Sequence, residues 1–240
     1  MSVGNWAVVV SDLPESLGRT PISPCRVSRW FDCPALVEND ANLAAVAEHW
    51  RGAAQDSADF IHLLIGHRTG AAVVLGGRLH RGRAGAAGEI AGLAILGLDG
   101  TDRTALRGGD DVAHVFTAAA EGEPSAVERV HHFASTYALG TAAMVLTVNP
   151  DLVVVGGGIS RAGETLTGPL RRYLEDLCID PPEVRVSELG VEAVALGAVR
   201  LGLDRSDRDL FEFPSSYDPS VPSAVPADRA HTTEATSASS

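Results

Sequence analysis

The chain has 240 residues, of which 45% are hydrophobic and 21% are charged, and its formal net charge is −12 at pH 7. This length is enough for one large domain or for two smaller ones that share a core. Nucleic-acid phosphates and anionic membranes repel such an acidic chain, so its composition argues against binding either of them by charge alone.

The first half of the chain predicts a strand, a loop, a second strand and a helix, followed by a meander. Trp6–Val10 is an apolar run typical of a strand, and residues 14–34 have the composition of a loop. A short strand at Ala35–Val37 leads into a helix at Ala41–Arg51, for which Asn39 or Asp40 is a suitable N-cap. Three strands are then predicted, at Phe60–Ile65, Ala71–Leu75 and Arg78–His80, with a tight hairpin at Gly76-Gly77.

The second half alternates helices and strands after an irregular, glycine-rich segment at residues 82–109. The predicted elements are helices at 111–120 and 124–148, a strand at Asp151–Val155, a helix at 161–178, a strand at Val184–Val186 and a helix at 191–202. Three strands followed by helix–strand–helix–strand–helix is the order of a ribonuclease-H-like α/β lobe.

This order also predicts the domain organisation. We expect a partial N-terminal lobe over residues 1–56 and a complete ribonuclease-H-like lobe over residues 57–205. Residues 206–240 are rich in Pro, Ser, Ala and Thr without apolar periodicity, which predicts a disordered tail.

The N-terminus and the cysteines indicate the compartment. No basic segment precedes the first apolar run, and no stretch approaches the ~20 consecutive apolar residues of a membrane span. Cys25, Cys33 and Cys178 show neither CxxC spacing nor an even framework. We therefore expect a cytoplasmic protein with reduced thiols and no membrane partner.

Three segments combine glycine, carboxylate and position in a way that suggests ligand binding. In Glu38-Asn39-Asp40 a carboxylate could accept a hydroxyl proton and the amide could bind a second hydroxyl, although helix capping uses the same residue types. In Gly85-Ala86-Ala87-Gly88-Glu89 small residues permit close approach to a ligand, although a linker with one solvated acid would look similar.

The third segment is the apolar strand that ends in Gly156-Gly157-Gly158. A strand followed by glycines and a helix is a common nucleotide site, and tight packing is the alternative explanation. The segment is neither a Walker loop nor a dinucleotide fingerprint, because it lacks Gly-Lys-Ser/Thr and the GxGxxG spacing.

Taken in order, these segments resemble the ROK family of repressors and sugar kinases. The family's ENDAN segment is matched at Glu38–Asn42, and its glycine-rich GAAGEI block is matched at Gly85–Ile90. Asn149–Gly158 resembles its NPe-iVlGGG block, and Leu196-Gly197-Ala198 resembles its last helix. The resemblance spans about residues 5–203 and implies a two-lobed, actin-like ATPase fold with sugar in the cleft between the lobes.

The resemblance also implies roles for individual residues. Asp40 is the expected base that deprotonates a sugar hydroxyl in an active kinase, and Asn39, Asp40 and Glu89 are expected to hold the sugar. Gly156, Gly157 and Gly158 are expected beside the nucleotide in members that bind ATP. Members of the family form dimers or tetramers, so a homo-oligomer is expected as well.

Three departures from the family pattern argue against kinase activity. No Asp-x-Gly-Gly-Thr hairpin precedes Trp6. The second phosphate loop, residues 66–72, carries His67 and Arg68 where small residues are expected, which would crowd phosphate, although Arg68 could instead pair with an anion. After Glu89 the usual Gly-His is Ala91-Gly92. No cysteine lies between Cys33 and Cys178, so the family's Cys₃His zinc site is not expected.

The sequence therefore favours the sugar-sensing domain of a ROK transcriptional regulator that is inactive as a kinase and carries no zinc, and it leaves open whether ATP binds. Regulators of this family carry a helix-turn-helix before the sugar lobe, and none is found here, so this chain alone is not expected to bind DNA. An ATP-dependent, glucose-type sugar kinase using Mg-ATP is the alternative, because Asp40 is kept. A third possibility is a non-binding remnant or interaction module with an uncovered sheet edge.

Overall fold

The computed structural model describes residues 7–11, 28–29, 33, 35–66, 69–93, 96 and 112–211. The strands are β1 (Ala7–Ser11), β2 (Ala35–Asn39), β3 (Phe60–Ile65), β4 (Thr69–Leu75), β5 (Arg78–His80), β6 (Leu152–Gly156) and β7 (Glu183–Val186). The helices are α1 (Asp40–Arg51), α2 (Val112–Ala120), α3 (Pro124–Val148), α4 (Glu164–Leu177) and α5 (Ala193–Phe211), with single 3₁₀ turns at Ile90–Gly92, Gly158–Ala162 and Gly190–Glu192.

The main sheet has five strands in the order β5-β4-β3-β6-β7. β4 is antiparallel to both of its neighbours, whereas β3, β6 and β7 are parallel. The two central strands, β3 and β6, are buried along their whole length. Their continuous apolar runs follow from this position, because a parallel strand between two helical layers has no polar face.

Helices cover both faces of this sheet. Phe133 of α3, Leu170 of α4 and the odd-numbered residues of β3 form the larger core, on one face. On the other face Phe60 and Leu64 of β3 pack against the alanines of α1 and the start of α5. The small residues of α1 let the helix lie close to the sheet, which places its first residues beside β4.

β1 and β2 form a separate parallel pair, in which Ala7 lies opposite Ala35 and Ser11 opposite Asn39. β2 runs directly into α1, and α5 contacts both α1 and β1. The helix pair α1–α5 therefore connects the small sheet to the large one. The described part of the predicted N-terminal lobe, residues 1–56, includes this pair and α1.

The strand order and orientations confirm the predicted ribonuclease-H-like lobe. The predicted β3 and β5 and the helix at 124–148 have the observed bounds, and Gly76 and Gly77 form the hairpin with φ of 57° and 69°. β4 begins at Thr69 rather than at Ala71, because Thr69 and Gly70 continue the pairing with Ile65 and Leu64.

Two helix predictions are corrected by the structure. The helix expected at 161–178 is a 3₁₀ turn at Gly158–Ala162 followed by α4. The last helix was expected to end at residue 202 but continues to Phe211, into the first residues of the predicted tail. Residues 212–240 and most of the predicted loop at 14–34 lie outside the described residues. Within the described ranges no helix is long and apolar enough to cross a membrane.

Candidate functional site

The β2–α1 junction holds two of the predicted sugar-binding residues. Asn39 is the N-cap of α1, and its Oδ1 accepts hydrogen bonds from the backbone N–H groups of Ala41 and Asn42 at 2.8 and 3.4 Å. Asp40 is partly buried, and its Oδ1 accepts from the Ala41 N–H at 2.8 Å. Asn39 thus caps the helix with its carbonyl oxygen. Its side-chain nitrogen has no hydrogen-bond partner among the described residues.

Glu38, one residue earlier, fixes this junction. Its Oε1 accepts from the Asn42 side-chain amide at 2.7 Å and from the Asn39 N–H at 3.1 Å. Its Oε2 pairs with the Arg81 guanidinium at 2.7 Å. The Glu38 side chain is only 11% exposed, so a carboxylate with four donors restrains the backbone on which Asn39 and Asp40 stand.

The first residues of β4 bring the second predicted segment to the junction. A Cβ on Gly70 would lie 2.9 Å from the Ala41 Cβ and 3.8 Å from Asp40 Oδ1, so this strand packs directly on the start of α1. The next residue of β4, Ala71, contacts the second segment. A Cβ on Gly88, which has a φ of 88°, would overlap the Ala71 carbonyl. Gly70 and Ala71 therefore connect the Asn39–Asp40 segment to the segment that carries Glu89.

Glu89 precedes the 3₁₀ turn at Ile90–Gly92, is partly buried and makes no capping hydrogen bond with its side chain. The amide of Asn39 and the carboxylates of Asp40 and Glu89 therefore belong to two segments that both pack on the start of β4. Amides and carboxylates are the groups that bind vicinal hydroxyls. Within the described ranges no three His, Cys, Asp or Glu side chains are grouped as metal ligands would be.

The three glycines after β6 have different surroundings. Gly156 and Gly157 are buried, and a Cβ would lie 2.6 Å from His62 Nε2 in the first case and 2.6 Å from the Ile65 carbonyl oxygen in the second. Gly158 is exposed, and a Cβ there would meet nothing within 4 Å. Close packing accounts for the first two glycines, and only Gly158 has open space beside it.

Gly158 lines a cleft of about 660 Å³ between β3, α2 and α4. The lining residues are mostly small or apolar, and Arg161 is the only charged one among them. Gly66, which follows β3, also lines the cleft. Gly158 is exposed and Gly66 is partly exposed, so glycine backbone and one cation line the described part of this cleft. His67 and Arg68, which follow Gly66, lie outside the described residues.

The sequence profile of the ROK family matches residues 19–100 and 103–205. The chain belongs to the ROK family. It is 27% identical over 204 residues to the glucokinase of Halalkalibacterium halodurans, and the match covers 68% of this chain and 62% of that protein. It is 25% identical over 226 residues to the xylose repressor of Caldicellulosiruptor bescii, which covers 78% of this chain and 56% of that protein.

A solved structure of a ROK glucokinase from Streptomyces griseus, in complex with glucose and AMPPNP, superimposes with a TM-score of 0.63. That glucokinase is 26% identical to this chain, and the match covers 75% of this chain and 72% of the other. The actin-like fold predicted from the sequence is thereby confirmed. The chain spans less than two thirds of the length of both curated relatives, one a kinase and the other a repressor.

Sequence reasoning missed four residues around this ROK site. Glu38 was named within the Glu38-Asn39-Asp40 segment and the ENDAN match but was given no role of its own, although it lies four residues before Asn42 and its carboxylate could reach that amide. The partner Arg81 is 43 residues away, and no local pattern joins the two. Gly70 was counted with the phosphate loop, and His62 lies within an apolar run that predicts only a strand.

Proposed function

We propose that this chain is the sugar-sensing domain of a ROK transcriptional regulator and that it binds a small-molecule sugar without phosphorylating it. The observation that carries the proposal is the meeting of Asn39–Asp40 and the Glu89 segment at Gly70 and Ala71 of β4. These side chains offer one amide and two carboxylates to the hydroxyls of a sugar. Similarity to both a glucokinase and a xylose repressor supports sugar as the ligand class.

The second glycine loop supports sensing over catalysis. Gly66 lines the cleft, and in the sequence it begins the loop with which the family holds a phosphate. His67 and Arg68 bring large side chains to positions where the family has small ones, and backbone approach to a phosphate needs small residues. Phosphoryl transfer depends mainly on positioning and on charge stabilisation of the phosphates, so this change is expected to reduce it.

An ATP-dependent, glucose-type sugar kinase is the second candidate, and the cleft at Gly158 favours it. In that case Mg-ATP would bind with its phosphates between Gly66 and Gly158, with Arg161 beside them. Asp40 would accept the proton of the attacking sugar hydroxyl, as a general base placed at the start of a helix can.

The proposal extends to partners. We propose a cytoplasmic homo-oligomer, supported by Leu139 and Leu146, which α3 exposes by 50% and 57%. The net charge of −12 supports a chain that does not itself contact DNA or a membrane.

Thermal unfolding of the purified chain against hexoses, N-acetyl sugars and xylose, each with and without Mg-ATP, tests the proposal. One sugar class is expected to raise the midpoint, because a ligand at 100 times its Kd adds about 2.7 kcal/mol to the free energy of unfolding. Mg-ATP is expected to add nothing further. Asp40→Asn and Glu89→Gln should reduce the sugar-induced shift, whereas Glu128→Gln, an exposed acid on α3, should not.

Two results would contradict this proposal. A further shift with Mg-ATP, together with sugar phosphate in a turnover assay that Asp40→Asn abolishes, would establish the kinase instead. A cooperative transition that no sugar moves would leave the non-binding remnant or interaction module.

A further inference from the structure

An ion pair joins the two segments that carry the candidate sugar-binding residues. Glu38 begins the segment of Asn39 and Asp40, and Arg81 begins the glycine-rich segment that ends at Glu89. The Arg81 Nε and a terminal guanidinium nitrogen both lie 2.7 Å from Glu38 Oε2. The Glu38 side chain is 11% exposed and that of Arg81 is 47% exposed, so the pair sits at the rim of the site.

The two oxygens of Glu38 hold different parts of the molecule. Oε1 accepts from the Asn42 amide and from the Asn39 N–H, which are both at the start of α1. Oε2 accepts only from Arg81 among the described residues. Any shift of Arg81 relative to α1 is therefore transmitted to the residue directly before Asn39.

Arg81 also closes the neck of the glycine-rich segment. Its carbonyl oxygen accepts a hydrogen bond from the Ala87 N–H at 3.3 Å, while residues 81–86 are exposed. A Cβ on Gly85, at the tip, would have nothing within 4 Å. The segment is therefore held at its two ends, by Arg81 on Glu38 and by Gly88 on the Ala71 carbonyl.

We propose that Arg81 is a positioning residue that, through Glu38, sets the separation between Asn39–Asp40 and Glu89 and thereby the affinity for sugar. The inference rests on the proposed sugar binding, and Arg81 itself is not assigned a contact with the sugar. Two segments that must act on one ligand bind it well only when they are held in register before it arrives.

Arg81→Met tests this role, with Arg83→Met as the matched control. Arg83 lies two residues further along the same exposed segment and forms no ion pair within the described ranges, so both changes remove one positive charge from one loop. Two readouts are combined: the sugar Kd by calorimetry, and hydrogen exchange of peptides covering residues 38–42 and 82–89. Arg81→Met should raise the Kd about tenfold or more and speed exchange in both peptides.

The midpoint of thermal unfolding without sugar should hardly change in Arg81→Met, since a half-exposed ion pair adds little to stability. Arg83→Met should change neither readout. Glu38→Gln should resemble Arg81→Met, and the double variant should be no weaker than either single one, because both remove the same interaction. Arg81→Lys should recover part of the affinity.

The outcomes separate this inference from the proposed function. If Arg81→Met and Arg83→Met bind sugar as tightly as the unmodified chain, the positioning role is overturned and sugar binding stands. If the unmodified chain binds none of the sugars, the proposed function fails, and hydrogen exchange alone tests whether Arg81 couples the two segments. Faster exchange of both peptides in Arg81→Met alone then supports the coupling, and unchanged exchange overturns it.

Discussion

His62 of β3 and Gly156 of β6 lie in close contact on the two central strands. His62 is completely buried, and neither of its ring nitrogens has a hydrogen-bond partner within the described part of the chain. A Cβ at Gly156 would lie 2.6 Å from His62 Nε2, so the glycine makes room for the imidazole. Burial lowers the pKa of His62 to about 3, and the side chain is therefore neutral in the folded protein across the physiological range.

The depressed pKa of His62 predicts acid sensitivity. Between about pH 6.5 and pH 3 the unfolded chain binds a proton at this residue and the folded chain does not, so stability falls as the pH falls. From pH 7.5 to pH 5.0 this amounts to about 2 kcal/mol of unfolding free energy. In urea unfolding, the free energy of unfolding of His62→Leu should fall by about 2 kcal/mol less over this range than that of the unmodified chain. At pH 7.5 the variant should be no less stable than the unmodified chain, because it buries no unpaired nitrogen.

His80 on β5 is the control for this experiment, because its side chain is exposed. His80→Leu should keep the acid sensitivity of the unmodified chain. If His62→Leu loses as much stability on acidification as His80→Leu, the buried imidazole is not the cause.

At the scale of elements, α1 is tied to the end of β7 by a buried carboxyl group. Glu48 has no exposed surface, and its Oε1 accepts a short hydrogen bond from the Ser187 hydroxyl. Its Oε2 accepts from the Ala53 N–H at 2.8 Å, which turns the side chain back over the last turn of the helix. Burial raises the pKa of Glu48, and the Ser187 hydroxyl opposes that rise by stabilising the carboxylate.

Removal of the Ser187 hydroxyl is expected to lower the free energy of unfolding by an amount that grows with pH. Ser187→Ala leaves a buried carboxyl oxygen without its partner and should lower the free energy of unfolding by about 1–3 kcal/mol. A carboxyl group whose pKa is higher in the folded than in the unfolded protein stabilises the folded state less as the pH rises above the unfolded pKa. Loss of the Ser187 hydroxyl raises the folded pKa of Glu48 further. Urea unfolding should therefore show a larger loss at pH 8 than at pH 5.

Glu48→Gln is the matched variant, because its amide can donate to Ser187 and its carbonyl can accept from Ala53. It should remove the part of the pH dependence that comes from Glu48. Equal losses for Ser187→Ala at both pH values would show that the Ser187 hydroxyl does not change the pKa of Glu48 within this range, contrary to this account.

Elements with a strong local signal could be predicted from the sequence, and those stabilised by distant contacts could not. β3 and β6 are apolar runs bounded by turn residues, which is enough to locate them. The start of β4 was missed because Thr69-Gly70 looks like a loop and is a strand only through pairing with Leu64 and Ile65. The end of α5 was missed because its last turns are highly charged, although an Arg200–Asp204 pair at 2.6 Å supports them.

At the scale of the whole molecule, the candidate site could be predicted only as a set of segments. The ENDAN match indicated Asn39 and Asp40, and the GAAGEI match indicated Glu89, but neither revealed what holds them in register. Three contacts join these segments: the ion pair of Arg81 with Glu38, the packing of Gly70 on Ala41, and the packing of Gly88 on Ala71. Each contact is between residues far apart in the chain. Local patterns carry no information on such contacts.

The joint between the two sheets also depends on one such contact, between Gly197 of α5 and the backbone of Leu43 in α1. A Cβ at position 197 would overlap the Leu43 carbonyl, so the helices approach this closely only because the residue is glycine. Gly197→Ala should push α5 away from α1 and lower the free energy of unfolding by about 1–3 kcal/mol, despite the better helix propensity of alanine.

Gly168 of α4 provides the comparison for this substitution. A Cβ there would meet only the flexible Glu164 carboxylate, at 3.6 Å, so Gly168→Ala should gain up to about 1 kcal/mol from helix propensity alone. Urea unfolding of both variants measures the difference. Because α1 begins at Asn39 and Asp40, Gly197→Ala should also weaken any sugar-induced rise of the unfolding midpoint. If Gly197→Ala is as stable as Gly168→Ala, the close crossing of α1 and α5 does not hold the two sheets together.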